Sequence, residues 1–183
     1  MTTAIDVIND FIGAQMRGVQ GELDGASDEL LNWHPDSQAN SIGVTIWHFS
    51  RLTDMVYNNI LHSKQPTDQF WFTEGYAEKY DYNPLGKGIN GWGAITGYSV
   101  EDMLEIPHFS LEDTLAYFTK CFTTLQEQLE IMSAEDFDAP IAGAGGDKSA
   151  YYWVKLIMID ATRHMGEISA IKNMWQRQQE AAE

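Results

Sequence analysis

The segment Trp153-Val-Lys-Leu-Ile-Met-Ile-Asp160-Ala-Thr-Arg-His164-Met-Gly-Glu167-Ile-Ser-Ala-Ile171-Lys-Asn-Met174-Trp175 reads as one long helix. At about 100° per residue, Trp153, Leu156, Ile157, Ile171 and Met174 share one narrow apolar stripe. Asp160, His164 and Glu167 fall on that same stripe. A buried carboxylate without a partner costs several kcal/mol or stays protonated, so the three are expected to be paired, hydrogen-bonded or bound to a metal. The partner has to come from elsewhere in the chain.

Upstream, Ser110 with Asp113 opens another helix, in which Leu111, Leu115, Phe118, Phe122, Leu125 and Leu129 step by fours and threes as a bundle seam. Cys121 falls within this pattern and reads as a packed thiol. Thr3 and Asp6 form a capping-box signature ahead of Ile5, Ile8, Phe11, Ile12 and Val19, which predicts a first helix from about residue 3 to about 20. Ser27-Asp-Glu-Leu-Leu, stopped by Pro35, predicts a connector of one or two turns. Asn40 or Ser41 caps a second long helix, with Val44, Leu52, Met55 and Val56 facing inward and Phe49 and Ile60 on the flank. His48 lies in the middle of that inward face.

Between residues 62 and 107 the helical period breaks down into an aromatic and glycine-rich connection. Trp71, Trp92 and Tyr98 within it read either as a cap over the bundle end or as the wall of a substrate pocket. Ser99-Val-Glu-Asp102 predicts a short helix ending before Pro107. After the seam helix, residues 133–140 form a connector, Gly143-Ala-Gly-Gly-Asp147 a flexible loop, and Ser149 or Asp147 caps the last helix.

The 183 residues fit one domain with a sizeable core, at 44% hydrophobic and 12% aromatic content. Eleven Lys and Arg against 27 Asp and Glu give a net charge of −16. That balance argues against nucleic-acid binding and against anionic membrane surfaces. The single cysteine cannot form an intrachain disulfide, and no signal peptide or membrane-spanning run is present, so a cytoplasmic protein is expected.

Asp160 and His164, four residues apart, project from one helix face within reach of one ion. With His48 they would form a set of two imidazoles and one carboxylate that leaves coordination positions open. The competing reading is a metal-free polar cluster in which Asp160 accepts from a protonated His48 or His164, with Arg51 or Arg163 nearby. Glu167 is a ligand, an acceptor that orients an imidazole, or an acid–base group. His34 and His62 read as solvated. Other metal and phosphate motifs are missing: the one Glu-x-x-His, Glu105 to His108, contains Pro107, and there is no His-Glu-x-x-His, Cys-x-x-Cys or phosphate-binding loop.

Asn40-Ser-Ile-Gly-Val-Thr-Ile-Trp47-His48-Phe-Ser-Arg51-Leu-Thr-Asp54, together with Asp160-Ala-Thr-Arg-His164-Met-Gly-Glu167-Ile, resembles the DinB-like (DinB/YfiT) superfamily. The resemblance spans almost the whole chain. It implies an all-α four-helix bundle of up-down-down-up topology, frequently dimeric, that binds a divalent metal through three histidines. His48 matches the first ligand and His164 the third, while Asp160 stands where the family has its middle histidine. A carboxylate there makes the site harder and moves its preference toward zinc, iron or manganese over nickel. The resemblance further implies a small-molecule substrate and either transfer to a low-molecular-weight thiol or metal-assisted hydrolysis, with a non-catalytic bundle as the alternative.

Overall fold

Ser and Thr side chains start most of the helices. The computed structural model describes residues 2–143 and 146–182, so Ala144 and Gly145 of the expected glycine-rich loop lie outside the described residues. Thr3, Ser27, Ser41, Ser99, Ser110 and Ser133 each accept a hydrogen bond from the backbone N–H three residues on. Such a cap contributes about 1 kcal/mol. These caps open α1 (Ala4–Leu23), α2 (Asp28–Asn32), α3 (Ile42–Met55), α6 (Val100–Leu104), α7 (Leu111–Ile131) and α8 (Ala134–Asp138); the other α-helices are α4 (Phe70–Thr73), α5 (Tyr76–Lys79) and α9 (Ala150–Ala182). Among the described residues all regular structure is helical, apart from one isolated bridge between Pro140 and Ser149.

The four long helices close a ring in which α3 and α1 each pack against both α7 and α9. Gln15 donates to Thr162 at 3.0 Å, Gly18 lies against Met165, and Lys172 reaches Glu22, so α1 and α9 run in the same direction. The seam expected of α7 packs inward: Phe118, Cys121, Phe122, Leu125 and Leu129 are fully buried, while Leu111 and Leu115 are half-buried. Burial pushes the Cys121 thiol well above its ordinary value.

Two readings of the helix faces are corrected. Leu156 and Met174, placed on the buried stripe of α9, are each 37% exposed. The buried line runs instead through Trp153, Val154, Ile157, Ala161, Ile168 and Ile171, which leaves Asp160, His164 and Glu167 on its half-buried border. On α3, Leu52 is half-buried, whereas the flanking Phe49 and Ile60 are 1% exposed. Every other residue of α3 is buried, because the connection of residues 62–109 covers the side that α7 and α9 leave open. A π-helical turn, Val56–Leu61, extends α3 and was not legible in the sequence.

That covering is tied down by one carboxylate. Asp54, fully buried, accepts from the backbone amides of Phe70 (2.9 Å) and Trp71 (3.0 Å) at the start of α4. It also accepts from the Tyr117 hydroxyl of α7 (2.7 Å) and the Asn58 amide (2.8 Å). Burial, with the Asp54 charge beside it, raises the Tyr117 phenol far above its ordinary value, so it stays a donor. The Arg51 guanidinium, equally buried, lies 3.5 Å from the same carboxylate and reaches the backbone carbonyls of Trp92 and Gly93. Two side chains of α3, Asp54 and Arg51, thereby hold α4, α7 and residues 92–93 together.

Trp71, one candidate for a pocket wall, is 1% exposed and packed among Trp47, Tyr76, Phe109 and Tyr117, with its indole N–H donating to the Tyr82 carbonyl. It belongs to the covering layer. We expect Asp54→Ala to cost about 3–5 kcal/mol in urea unfolding, because it strands a buried guanidinium and two helix-start amides. A loss within about 0.5 kcal/mol would show that the carboxylate does not tie the layer down.

Candidate metal centre

His48 stands in the second turn of α3, seven residues after the Ser41 cap, and is 9% exposed. Its Nδ1 lies 2.7 Å from the carbonyl oxygen of Ala94. A carbonyl only accepts, so Nδ1 carries the proton and a neutral ring presents a bare Nε2. That Nε2 is 3.1 Å from Oδ2 of Asp160 on α9. His164 repeats the pattern one turn along α9. Its Nδ1 is 2.7 Å from Oε2 of Glu167, and its Nε2 faces Oδ1 of Asp160 at 3.7 Å. The two imidazoles meet edge to face, 5.0 Å between centroids, and Phe49 stacks against His164.

The backbone behind His48 is held tightly. Thr96 N–H donates to the Ala94 carbonyl at 2.7 Å around Ile95, whose φ of 65° is a strained value for a β-branched residue. Gly93 has φ 68°, and a Cβ on it would stand 2.5 Å from the Pro84 carbonyl oxygen, so only glycine lets the turn close there. Trp92 adds an edge-to-face contact with Trp153 of α9, while half-buried Tyr98 packs against Gly88.

His48, Asp160 and His164 thus converge, with ligand atoms that all lie within 4.8 Å of one another, as a group that could hold a metal ion. Oδ2 of Asp160 is buried and has no donor unless Nε2 of His48 takes a second proton. A proton or a cation therefore has to fill the space between them. Burial alone would raise the Asp160 carboxyl, but the hydrogen bond and charge of His48, with His164 and Arg163 beyond, hold it below the ordinary carboxylate value. Burial likewise works against a charged His164, yet Glu167 and Asp160 outweigh it and raise the imidazole. The two shifts report mutual attraction across the cluster: positive charge beside Asp160 favours its carboxylate, and negative charge beside His164 favours its protonated ring. Arg51 takes no part, being engaged with Asp54 one turn further along α3.

A family model for the DinB superfamily matches residues 14–168. The chain belongs to the DinB superfamily. A crystal structure of a conserved protein from Enterococcus faecalis superposes with a TM-score of 0.76 at 13% identity, covering 95% of this chain and 98% of that one, and it shares the fold. None of the curated proteins matches the chain in sequence. In this DinB-superfamily chain the three expected side chains come together from two helices, and Glu167 lies on the far nitrogen of His164. The Ala94 carbonyl was not foreseen, since a backbone acceptor leaves no mark in sequence beyond the glycines at 91, 93 and 97 that shape its loop.

His48→Ala and His164→Ala are each expected to weaken zinc binding at least about tenfold in calorimetric titration, with helix content retained. Glu167→Gln, which removes the charge behind His164, should cost about tenfold or more. Unchanged affinity in all three would place bound metal elsewhere.

Proposed function

We propose that this protein binds a divalent metal through Nε2 of His48, a carboxylate oxygen of Asp160 and Nε2 of His164, and uses it in a transfer or hydrolysis on a small molecule. The observation that carries the reading is the 3.1 Å approach of His48 Nε2 to a buried Asp160 oxygen while both Nδ1 atoms are committed elsewhere. When bound, the ion would act as a Lewis acid that lowers the pKa of a thiol or water beside it.

The chain's own residues do the rest. Ala94 and Glu167 keep the two imidazoles in the tautomer that bares Nε2. Asp160 contributes a negative charge and a hard oxygen, which favours zinc, manganese or iron over nickel. Partial exposure of Asp160 and His164, 23% and 19% of their side chains, leaves the outer side of the cluster open to reactants. Cys121 is sealed in the core, so a thiol in a transfer reaction has to be a small molecule from solution.

The up-down-down-up path of the family is the topology we infer for the ring, and the parallel run of α1 and α9 supports it. A homodimer is the assembly we infer. The groove between α1 and α9, where Val7 and Phe11 are 57% and 47% exposed, would be covered by it, and Lys155 and Arg163 on its rim offset some repulsion between two acidic copies.

The chemistry is tested by loading the protein with zinc, manganese or ferrous iron and assaying 1-chloro-2,4-dinitrobenzene and p-nitrophenyl acetate with and without added small thiols. Turnover that needs both metal and thiol identifies a transferase, and turnover that needs metal alone a hydrolase. Metal-loaded protein inactive in every combination would contradict the catalytic reading and favour a bundle in which the cluster is structural.

A further inference from the structure

We propose that a cavity of about 880 Å³ at the N-terminal end of α3 is a binding site for an uncharged, amphiphilic small molecule. Its volume falls within the range of about 300–1,000 Å³ typical of small-molecule sites. The inner wall is apolar, formed by Val44, Met103 and Ile106. Val44 precedes His48 by one helical turn, which brings the inner end of the cavity near the candidate metal centre without making the site depend on metal.

The mouth is made by α6, a helix turned apolar side out. Glu101, Asp102 and Glu105 share one side, and Lys87 holds it by hydrogen bonds to Asp102 (2.9 Å) and Glu105 (2.5 Å). The Ser99–Asp102 capping box fixes its first turn. The opposite side carries Val100, Met103 and Leu104 to the cavity, with Val100 72% and Leu104 79% exposed. With Asp102 and Glu105 held by Lys87, the large apolar groups Val100 and Leu104 stand in solvent, which costs hydrophobic free energy that an apolar ligand in the mouth would recover.

The polar part of the wall sets the class of molecule. Gln38, Asn40 and His108 offer hydrogen-bonding groups, as does Nε2 of His34, whose Nδ1 is occupied by the Ala39 carbonyl. Asp36, the one carboxylate in the wall, already accepts from the amides of Gln38 (2.7 Å) and Ala39 (2.9 Å). Among the described residues no lysine or arginine lines the cavity, and the chain carries −16 overall, so an anion finds no permanent counter-charge. An apolar body with a hydroxyl or amide end fits.

Fluorescence titration of the chelator-treated full chain with N-phenyl-1-naphthylamine, a neutral probe, tests the site. We expect saturable one-to-one binding, weakened at least about tenfold by Leu104→Lys. Ile131→Lys, at an equally exposed apolar position on α7 away from the cavity, should leave it unchanged. The anionic probe 8-anilinonaphthalene-1-sulfonate should bind at least about tenfold more weakly than the neutral one. No saturable binding, or equal loss in the two variants, would overturn the site. Equal affinity for the two probes would overturn its preference for an uncharged ligand.

Discussion

A ring nitrogen of His48 and an oxygen of Asp160 meet at 3.1 Å, and a neutral imidazole whose proton is committed to the Ala94 carbonyl has no hydrogen to place between them. Two acceptors at that distance repel unless positive charge intervenes. Without metal a proton between the two groups would supply that charge; burial would raise the Asp160 carboxyl, but the neighbouring His48 holds it below its ordinary value. A divalent cation could satisfy the same geometry, with His164 as a third side chain in reach. The site is thus built to be charged at its centre, and the choice between proton and metal separates a polar cluster from a reactive one.

Holding that contact requires a rigid α3, and most of the fold serves to make it so. α3 is buried nearly all round, against α7 and α9 on one side and the aromatic connection on the other. The Arg51–Asp54 pair, one turn and two turns beyond His48, binds that connection by its backbone, so the loop presenting Ala94 is anchored to the same helix as the histidine it orients. The strained φ at Ile95 is kept by this surrounding closure, which has close backbone approaches at Gly88, Gly93 and Gly97. Without the Ala94 carbonyl the tautomer of His48 would be unfixed.

Helical spacing and capping residues made the long helices legible in the sequence, and Thr3, Ser27, Ser41, Ser99 and Ser110 start helices where their patterns indicated. The convergence of His48, Asp160 and His164 was legible for the same reason, since i,i+4 spacing and an inward face are local properties. The exact faces were less so. A 33-residue helix changes neighbours along its length, so one stripe drawn at a fixed angle took in the exposed Leu156 and Met174. The roles of Asp54 and Ala94 were not legible, because each depends on backbone groups brought from 16 or more residues away by a connection without period. Trp71 illustrates the same limit: its aromatic type suited a pocket wall or a covering layer equally, and only its neighbours distinguish them.

The most direct test of the account is X-ray absorption at the zinc edge of untagged protein loaded with one equivalent of zinc, beside the same measurement on His48→Ala. The account predicts a low-coordinate site with scattering from two imidazoles and at least one oxygen, reduced to one imidazole in the variant. A spectrum without imidazole scattering, or one that the substitution leaves unchanged, would contradict it.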